Sequence, residues 1–135
     1  MERHAPKGII LILISGILNC LLGIVHQVVL YFSYKEYEAL ITPEADKVLA
    51  DFLLFSIALG ITLFFIGLLM IYCYSGMKRG EKWSYVVCIG ASVLLLAFTI
   101  TIGCVIGFDQ PVAYVHLVNS ILIAIPLILS RKAFA

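Results

Sequence analysis

Four long apolar runs divide the chain, and the charged residues lie in the short segments between them. The runs cover residues 8–34, 52–75, 83–108 and 111–130, and none contains Asp, Glu, Lys or Arg. Each holds the roughly 20 residues that an α-helix needs to cross about 30 Å of hydrocarbon. Because backbone groups in lipid must be satisfied within the chain, runs of this length predict helices. We expect an all-α protein, a single transmembrane four-helix bundle over residues 1–135.

The composition supports a membrane location. Hydrophobic residue types make up 63% of the 135 residues, the mean hydropathy is +1.12, and charged residues are 13%, against about 25% in ordinary soluble domains. A soluble chain of this length could not bury so much apolar surface. This excludes a soluble enzyme, a disordered tail and a nucleic-acid module. The net charge of +1 gives no field that would attract nucleic acid, so the lipid bilayer is the expected partner.

Basic residues are distributed unequally between the two sides of the predicted membrane. Seven lie in the N-terminal segment, the second connection and the C-terminal segment: Arg3, Lys7, Lys78, Arg79, Lys82, Arg131 and Lys132. The opposite side has only Lys35 and Lys47. The positive-inside rule therefore predicts both termini in the cytoplasm, and the location we expect is a bacterial inner (plasma) membrane. Short connections predict an up-down-up-down bundle.

The first connection contains a helix start signal. In Thr42-Pro43-Glu44, Thr is a favourable N-cap, Pro suits the first helical position and Glu lies near the positive end of the helix dipole. The second helix is therefore expected to begin near Pro43, well before its apolar run, and to extend beyond the hydrocarbon.

Each predicted helix carries one stripe of small or polar residues. Such stripes select the contact faces of membrane helices, since apolar surfaces gain little from meeting each other in lipid. The stripes are Gly16, Asn19, Gly23 and His26; Ser56, Gly60 and Gly67; Cys88, Ser92, Thr99, Gly103 and Gly107; and His116, Asn119, Ser120 and Ile123. We expect all four stripes to face inward.

Two histidines on different stripes have similar predicted depths. His26 and His116 lie about 9 Å and 6 Å toward the outer side of their helix midpoints. Polar side chains at such depths should avoid lipid. This predicts an outer-half pocket for a small lipophilic ligand or substrate. Its candidate ligand-binding residues are His26, His116, Asn19, Gln27, Asn119, Asp51 and Asp109.

Several roles are compatible with such a pocket. Imidazole beside a carboxylate can transfer a proton, two imidazoles with carboxylates can hold a metal ion, and an apolar cavity with a few polar groups can hold a lipid-like molecule. Alternatively, His26 and His116 only hydrogen-bond to each other, to Asn19 or Asn119, or to a backbone carbonyl, and so lock the bundle. We expect the lipid-like ligand, no cofactor and no metal, and leave open whether any reaction is catalysed.

A structural role is the principal alternative. The chain would then be an accessory subunit or a self-associating bundle, in a homo-oligomer or a larger membrane complex, and its polar stripes would serve only packing. An exposed seam of Thr99, Gly103 and Gly107 would bind the partner. An ion-coupled carrier is disfavoured, because no acidic or basic side chain lies within the runs.

The four cysteines, Cys20, Cys73, Cys88 and Cys104, all fall within apolar runs. Without a CxxC pair or zinc spacing they are expected to be buried thiols that act as small apolar residues. Cys73 and Cys88 are expected near one membrane face, but their spacing does not require a disulfide.

Two short motifs carry a family resemblance. They are Gly23 and His26 in the first run and Gly80-Glu81-Lys82-Trp83 before the third. In these short motifs the chain resembles the DoxX-like group of small bacterial four-span membrane proteins. The resemblance implies a fold and no particular activity.

Overall fold

Four α-helices account for nearly all of the computed structural model, which describes residues 8–38, 43–109 and 111–134. They are α1 (Ile10–Glu38), α2 (Pro43–Lys78), α3 (Lys82–Ile106) and α4 (Pro111–Phe134). Each is long and apolar enough to cross a membrane. The prediction of an all-α fold with four spans is confirmed, and the chain has the features of a multi-pass membrane protein.

Helix ends follow local backbone chemistry more closely than the ends of the apolar runs. As the sequence predicts, α2 begins at Pro43; its 36 residues correspond to about 54 Å of helix. α3 ends at Ile106, two residues before the end of its apolar run. It ends there because Gly107 adopts φ +97° and its N–H donates to the carbonyl of Gly103 at 3.0 Å. A non-glycine residue would be strained in that conformation.

The backbones of α1 and α2 are in direct contact. A Cβ atom added to Gly23 would lie 2.6 Å from the carbonyl oxygen of Gly60, and one added to Gly67 would lie 2.6 Å from the carbonyl oxygen of Gly16. One turn beyond Gly23, Gln27 donates from Nε2 to the carbonyl of Ile57 at 3.0 Å. Residues therefore pair in reverse order along the two helices. The glycines of the first two stripes face inward, as predicted.

The remaining contacts connect the helices in a ring. α3 and α4 meet through Thr99 and Ser120, whose hydroxyl oxygens are 3.0 Å apart. Farther along the same contact, Tyr85 donates to the carbonyl of Leu127 at 3.1 Å and stacks on Phe134 with ring centroids 4.9 Å apart. α2 contacts α3 and α1 contacts α4. Each helix thus has two neighbours within the described residues.

The interior is narrow and the outer surface is apolar. Fully or nearly fully buried side chains occupy the centre: Ile12, Leu63, Met70, Cys73, Met77, Cys88, Leu95 and Ile123. Large apolar side chains on the outside are 62–65% exposed: Phe32, Phe55, Phe65, Val93 and Ile128. A contiguous apolar exterior of this kind is unfavourable in water and suits hydrocarbon.

The prediction of an exposed seam on the third helix is wrong. Thr99 is buried against Ser120, and Gly103 is buried because the ring of Phe108 folds over it. Gly107 is half-buried at the helix end. A partner could not reach this stripe without displacing parts of the same chain.

The α1–α2 contact gives a first testable prediction. Gly23→Ala should destabilise the bundle by about 1–3 kcal/mol, the usual range for overpacking, because the new methyl group would meet the backbone of α2. Gly90→Ala is the matched control, since nothing lies within 4 Å of that Cβ position; its stability should stay within about 1 kcal/mol of wild type. Unfolding of both variants in detergent micelles measures the difference. Equal stability of the two variants would show that α1 and α2 are not in backbone contact.

Candidate functional site

Three buried polar side chains join α1 to α4. Asn119 donates from Nδ2 to Oδ1 of Asn19 at 2.9 Å, and its own Oδ1 accepts a hydrogen bond from the hydroxyl of Ser15. Asn19 donates to the carbonyl of Ser15 at 2.9 Å and contacts the sulfur of Met70 at 3.7 Å. All three polar residues are at most 1% exposed. We refer to Ser15, Asn19 and Asn119 as the amide network.

The amide network changes the role expected for two predicted ligand-binding residues. Both carboxamides already use donors and acceptors within the protein, which stabilises buried polar groups in an apolar medium. Asn19 and Asn119 therefore hold two helices together. Ser15 was not among the predicted residues. Its position one turn before Asn19, on the same face, is the signal that would have identified it.

His26 differs from the amide network in having an unsatisfied nitrogen. Nε2 of its half-buried ring is inaccessible and has no hydrogen-bond partner among the described residues. The ring interacts with the backbone of Ser56 on α2, and its Cδ2 edge lies 3.1 Å from the position of a Cβ added to Gly60. A buried polar atom without a partner is energetically unfavourable.

His116 lies on the inward face of α4, three residues before Asn119, and is 5% exposed. Its imidazole is close enough to that of His26 for an electrostatic interaction. The two histidines lie on α1 and α4, the helices that the amide network joins.

Gln27 points to a different surface. Besides its hydrogen bond to Ile57 it borders two grooves on the α1–α2 face, of about 390 Å³ and 310 Å³. The larger is lined by Gln27, Leu30, Tyr31, Tyr34, Leu53 and Ile57. The smaller passes Gly23, Gly60 and Phe64. Neither groove is lined by His26 or His116, but the amide of Gln27 and the ring of His26 both lie against Gly60.

The structure describes the side chain of one of the two predicted carboxylates. Asp109 is exposed in the connection after α3, where its Oδ1 lies against the Cα region of Gly107. The side chain of Asp51 lies outside the described residues. Among the side chains that are described, no three of His, Cys, Asp or Glu converge on a common point that would suit a metal ion.

The α2–α3 turn forms a compact polar cluster at one end of the bundle. Arg79 donates from Nε to Glu81 Oε1 at 2.6 Å, and Trp83 donates from Nε1 to Glu81 Oε2 at 2.7 Å. The hydrogen bond from Arg79 is the main reason that the pKa of Glu81 lies below its ordinary value. Trp83 also packs on Tyr72, with ring centroids 5.5 Å apart. Aromatic side chains beside basic residues are typical of a membrane interface.

Comparison of the chain with protein-family models, with curated proteins and with solved structures gives no match.

The amide network gives a second prediction. Asn119→Leu should destabilise the protein by about 1–2 kcal/mol, since Asn19 and Ser15 lose a buried partner. Combined with Asn19→Leu, the two losses should be less than additive, because both substitutions remove one interaction. Unfolding in micelles provides the measurement.

Thr101→Val is the control for this double-mutant cycle. Thr101 is exposed and donates a hydrogen bond to the carbonyl of Ala97 in its own helix, at 3.0 Å, so its loss should change stability by less than about 0.5 kcal/mol. Strictly additive effects of the two Asn substitutions would contradict the network.

Proposed function

We propose that this membrane protein binds a small lipophilic molecule carrying one polar group, and that His26 and His116 bind this group. The observation that carries the proposal is the buried, unpartnered Nε2 of His26. Polar atoms inside membrane proteins are costly, and intramembrane ionisable residues are functional candidates for that reason. A ligand that hydrogen-bonds to Nε2 would remove the cost.

The chemistry of imidazole defines the ligand class. A neutral ring offers one donor and one acceptor nitrogen, so a hydroxyl or carbonyl on an otherwise apolar skeleton is a suitable partner. His116 supplies a second imidazole in the same region. The proposal is for binding and includes no reaction. Proton transfer between ligand and imidazole would be chemically compatible with the same pair of histidines.

The other predicted residues take supporting roles in this proposal. Asn19 and Asn119 fix the separation of α1 and α4, the helices that carry the histidines. Gln27 fixes α1 on α2 beside His26. We propose no role for Asp51 or Asp109 in ligand contact.

The orientation in the membrane is part of the same proposal. We propose an up-down-up-down bundle with both termini in the cytoplasm of a bacterial inner membrane, because seven of nine basic residues lie on that side. In this orientation the histidines lie in the outer half of the membrane. The DoxX-like resemblance agrees with such a four-span arrangement.

A structural role remains the second candidate, and the amide network favours it. Its three polar side chains are mutually satisfied and need no ligand. In that case the chain serves as an accessory subunit or self-associates in the membrane, through its apolar outer faces.

The ligand proposal predicts a molecule that co-purifies with the protein. Native mass spectrometry of wild type in mild detergent should show a specific lipophilic adduct in addition to bulk phospholipid. The adduct should be lost from the double variant His26→Leu/His116→Leu and kept by Thr101→Val. If wild type carries only bulk phospholipid and the double variant has the same spectrum, the ligand proposal is wrong and the structural role is favoured.

The orientation has its own test. Fluorescent-protein fusions at either terminus should fluoresce, and alkaline phosphatase fusions at the same positions should be inactive, because phosphatase folds only outside the cytoplasm. Fusions inserted in the segment between α1 and α2 should give the reverse result. Active phosphatase at either terminus would overturn the orientation.

A further inference from the structure

Four sulfur-containing side chains form part of the buried core at the α2–α3 contact. Met70, Cys73 and Met77 follow each other at spacings of three and four along α2, so they share one face. Cys88 faces them from α3. All four are 0% exposed, and the thiols of Cys73 and Cys88 interact with each other.

The pairing of the two cysteines follows from the register of the helices as well. Gly76 lies against Ser84, because a Cβ added to that glycine would meet the Ser84 hydroxyl. The next turn of α2 away from the connection brings Cys73, and the next turn of α3 brings Cys88. The two thiols are therefore neighbours for the same reason that the α2–α3 connection is short.

Close packing around Gly76 joins the polar turn to this sulfur cluster. The same added Cβ would lie 2.8 Å from Oε2 of Glu81, so a carboxylate oxygen and a hydroxyl oxygen both lie against Gly76. The hydroxyl of Ser84 is fully buried and has no hydrogen-bond partner among the described residues. Cys73 is five residues from Lys78 at the end of α2, or about 7.5 Å along the axis. The cluster is thus close to one end of the bundle.

We propose that Cys73, Cys88 and Met77 form a binding site for a soft monovalent metal ion, Cu(I). Thiolate and thioether sulfur are the donors that Cu(I) prefers, and hard cations prefer oxygen. Two cysteines from adjacent helices and a methionine one turn away supply three such donors. Glu81 and Ser84 place two oxygen atoms against Gly76, one turn of α2 from Cys73.

Met77 is the third ligand in this proposal, and Met70 is not. The sulfur of Met70 already accepts a contact from Asn19 at 3.7 Å, which ties it to the amide network. Met77 is fully buried and lies one turn from Cys73 on the same face of α2. Binding of Cu(I) replaces the two thiol protons, which pass to water, and transfers no electron.

The test uses the reduced, full-length protein in detergent micelles under anaerobic conditions. Cu(I) held by a chromogenic chelator is titrated with protein, and the loss of chelator colour reports transfer. Wild type should take up one Cu(I) per chain. Cys73→Ser and Cys88→Ser should each weaken uptake by about 100-fold or more, since loss of even an outer-shell partner costs about 10–100-fold.

Matched controls use the other sulfur residues of the chain. Two variants should keep wild-type uptake: Cys104→Ser, at an exposed thiol, and Met70→Leu. Met77→Leu removes a proposed ligand and should weaken uptake. X-ray absorption of the wild-type complex should show a first shell of sulfur alone; this measurement needs no variant and is unaffected by misfolding. Three results would each overturn the site. They are failure of wild type to take Cu(I) from the chelator, unchanged uptake by Cys73→Ser, and a first shell of nitrogen or oxygen. None of these results depends on the histidine ligand.

Discussion

The hydrogen bonds between Asn19, Asn119 and Ser15 join the first helix to the last, and the rest of the arrangement depends on them. The other three helix contacts join neighbours in sequence, which short connections already hold close. The α1–α4 contact has no such help, and in lipid it gains little from apolar surface. A mutually satisfied set of buried amides supplies a directional attraction there, since each group would otherwise be unpaired in hydrocarbon.

Close backbone approach fixes the adjacent contact of the ring, between α1 and α2. The glycines along α1 and α2 let carbonyl oxygens lie where side chains would otherwise be. Dispersion forces then act over the full length of the contact. The result is that α1 and α2 are fixed by shape, and α1 and α4 are fixed by hydrogen bonds. His26 belongs to the α1–α2 contact through Gly60 and lies near the α1–α4 contact through His116.

Much of this arrangement was predictable, because the bilayer imposes simple constraints on sequence. Runs free of charge identify the four helices, and Thr42-Pro43-Glu44 identifies the start of α2. The inward faces follow from the spacing of small and polar residues. α1 continues to Glu38, beyond residue 34, where its apolar run ends. An apolar run reports where lipid is expected, and a helix can continue beyond it.

The errors concern contacts that no periodicity encodes. Thr99 and Gly103 resemble an exposed packing seam, but burial of Gly103 depends on the ring of Phe108 returning over it. The spacing of Asn19 and Asn119 likewise does not show that these two side chains hydrogen-bond to each other. Sequence spacing gives the face on which an amide lies. It does not give the rotamer, and the rotamer decides whether the group is satisfied within the protein or left open.

Two buried side-chain atoms among the described residues remain without a partner: Nε2 of His26 and the hydroxyl of Ser84. They lie on opposite sides of the amide network along the bundle, one beside the histidine pair and the other beside the sulfur cluster. Asn19 contacts both Asn119 and Met70. Asn119 is one turn of α4 from His116, and Met70 is one turn of α2 from Cys73. The amide network thus forms a layer between the two sites. Since that layer is satisfied internally, neither site needs the other to be occupied in order to keep its shape.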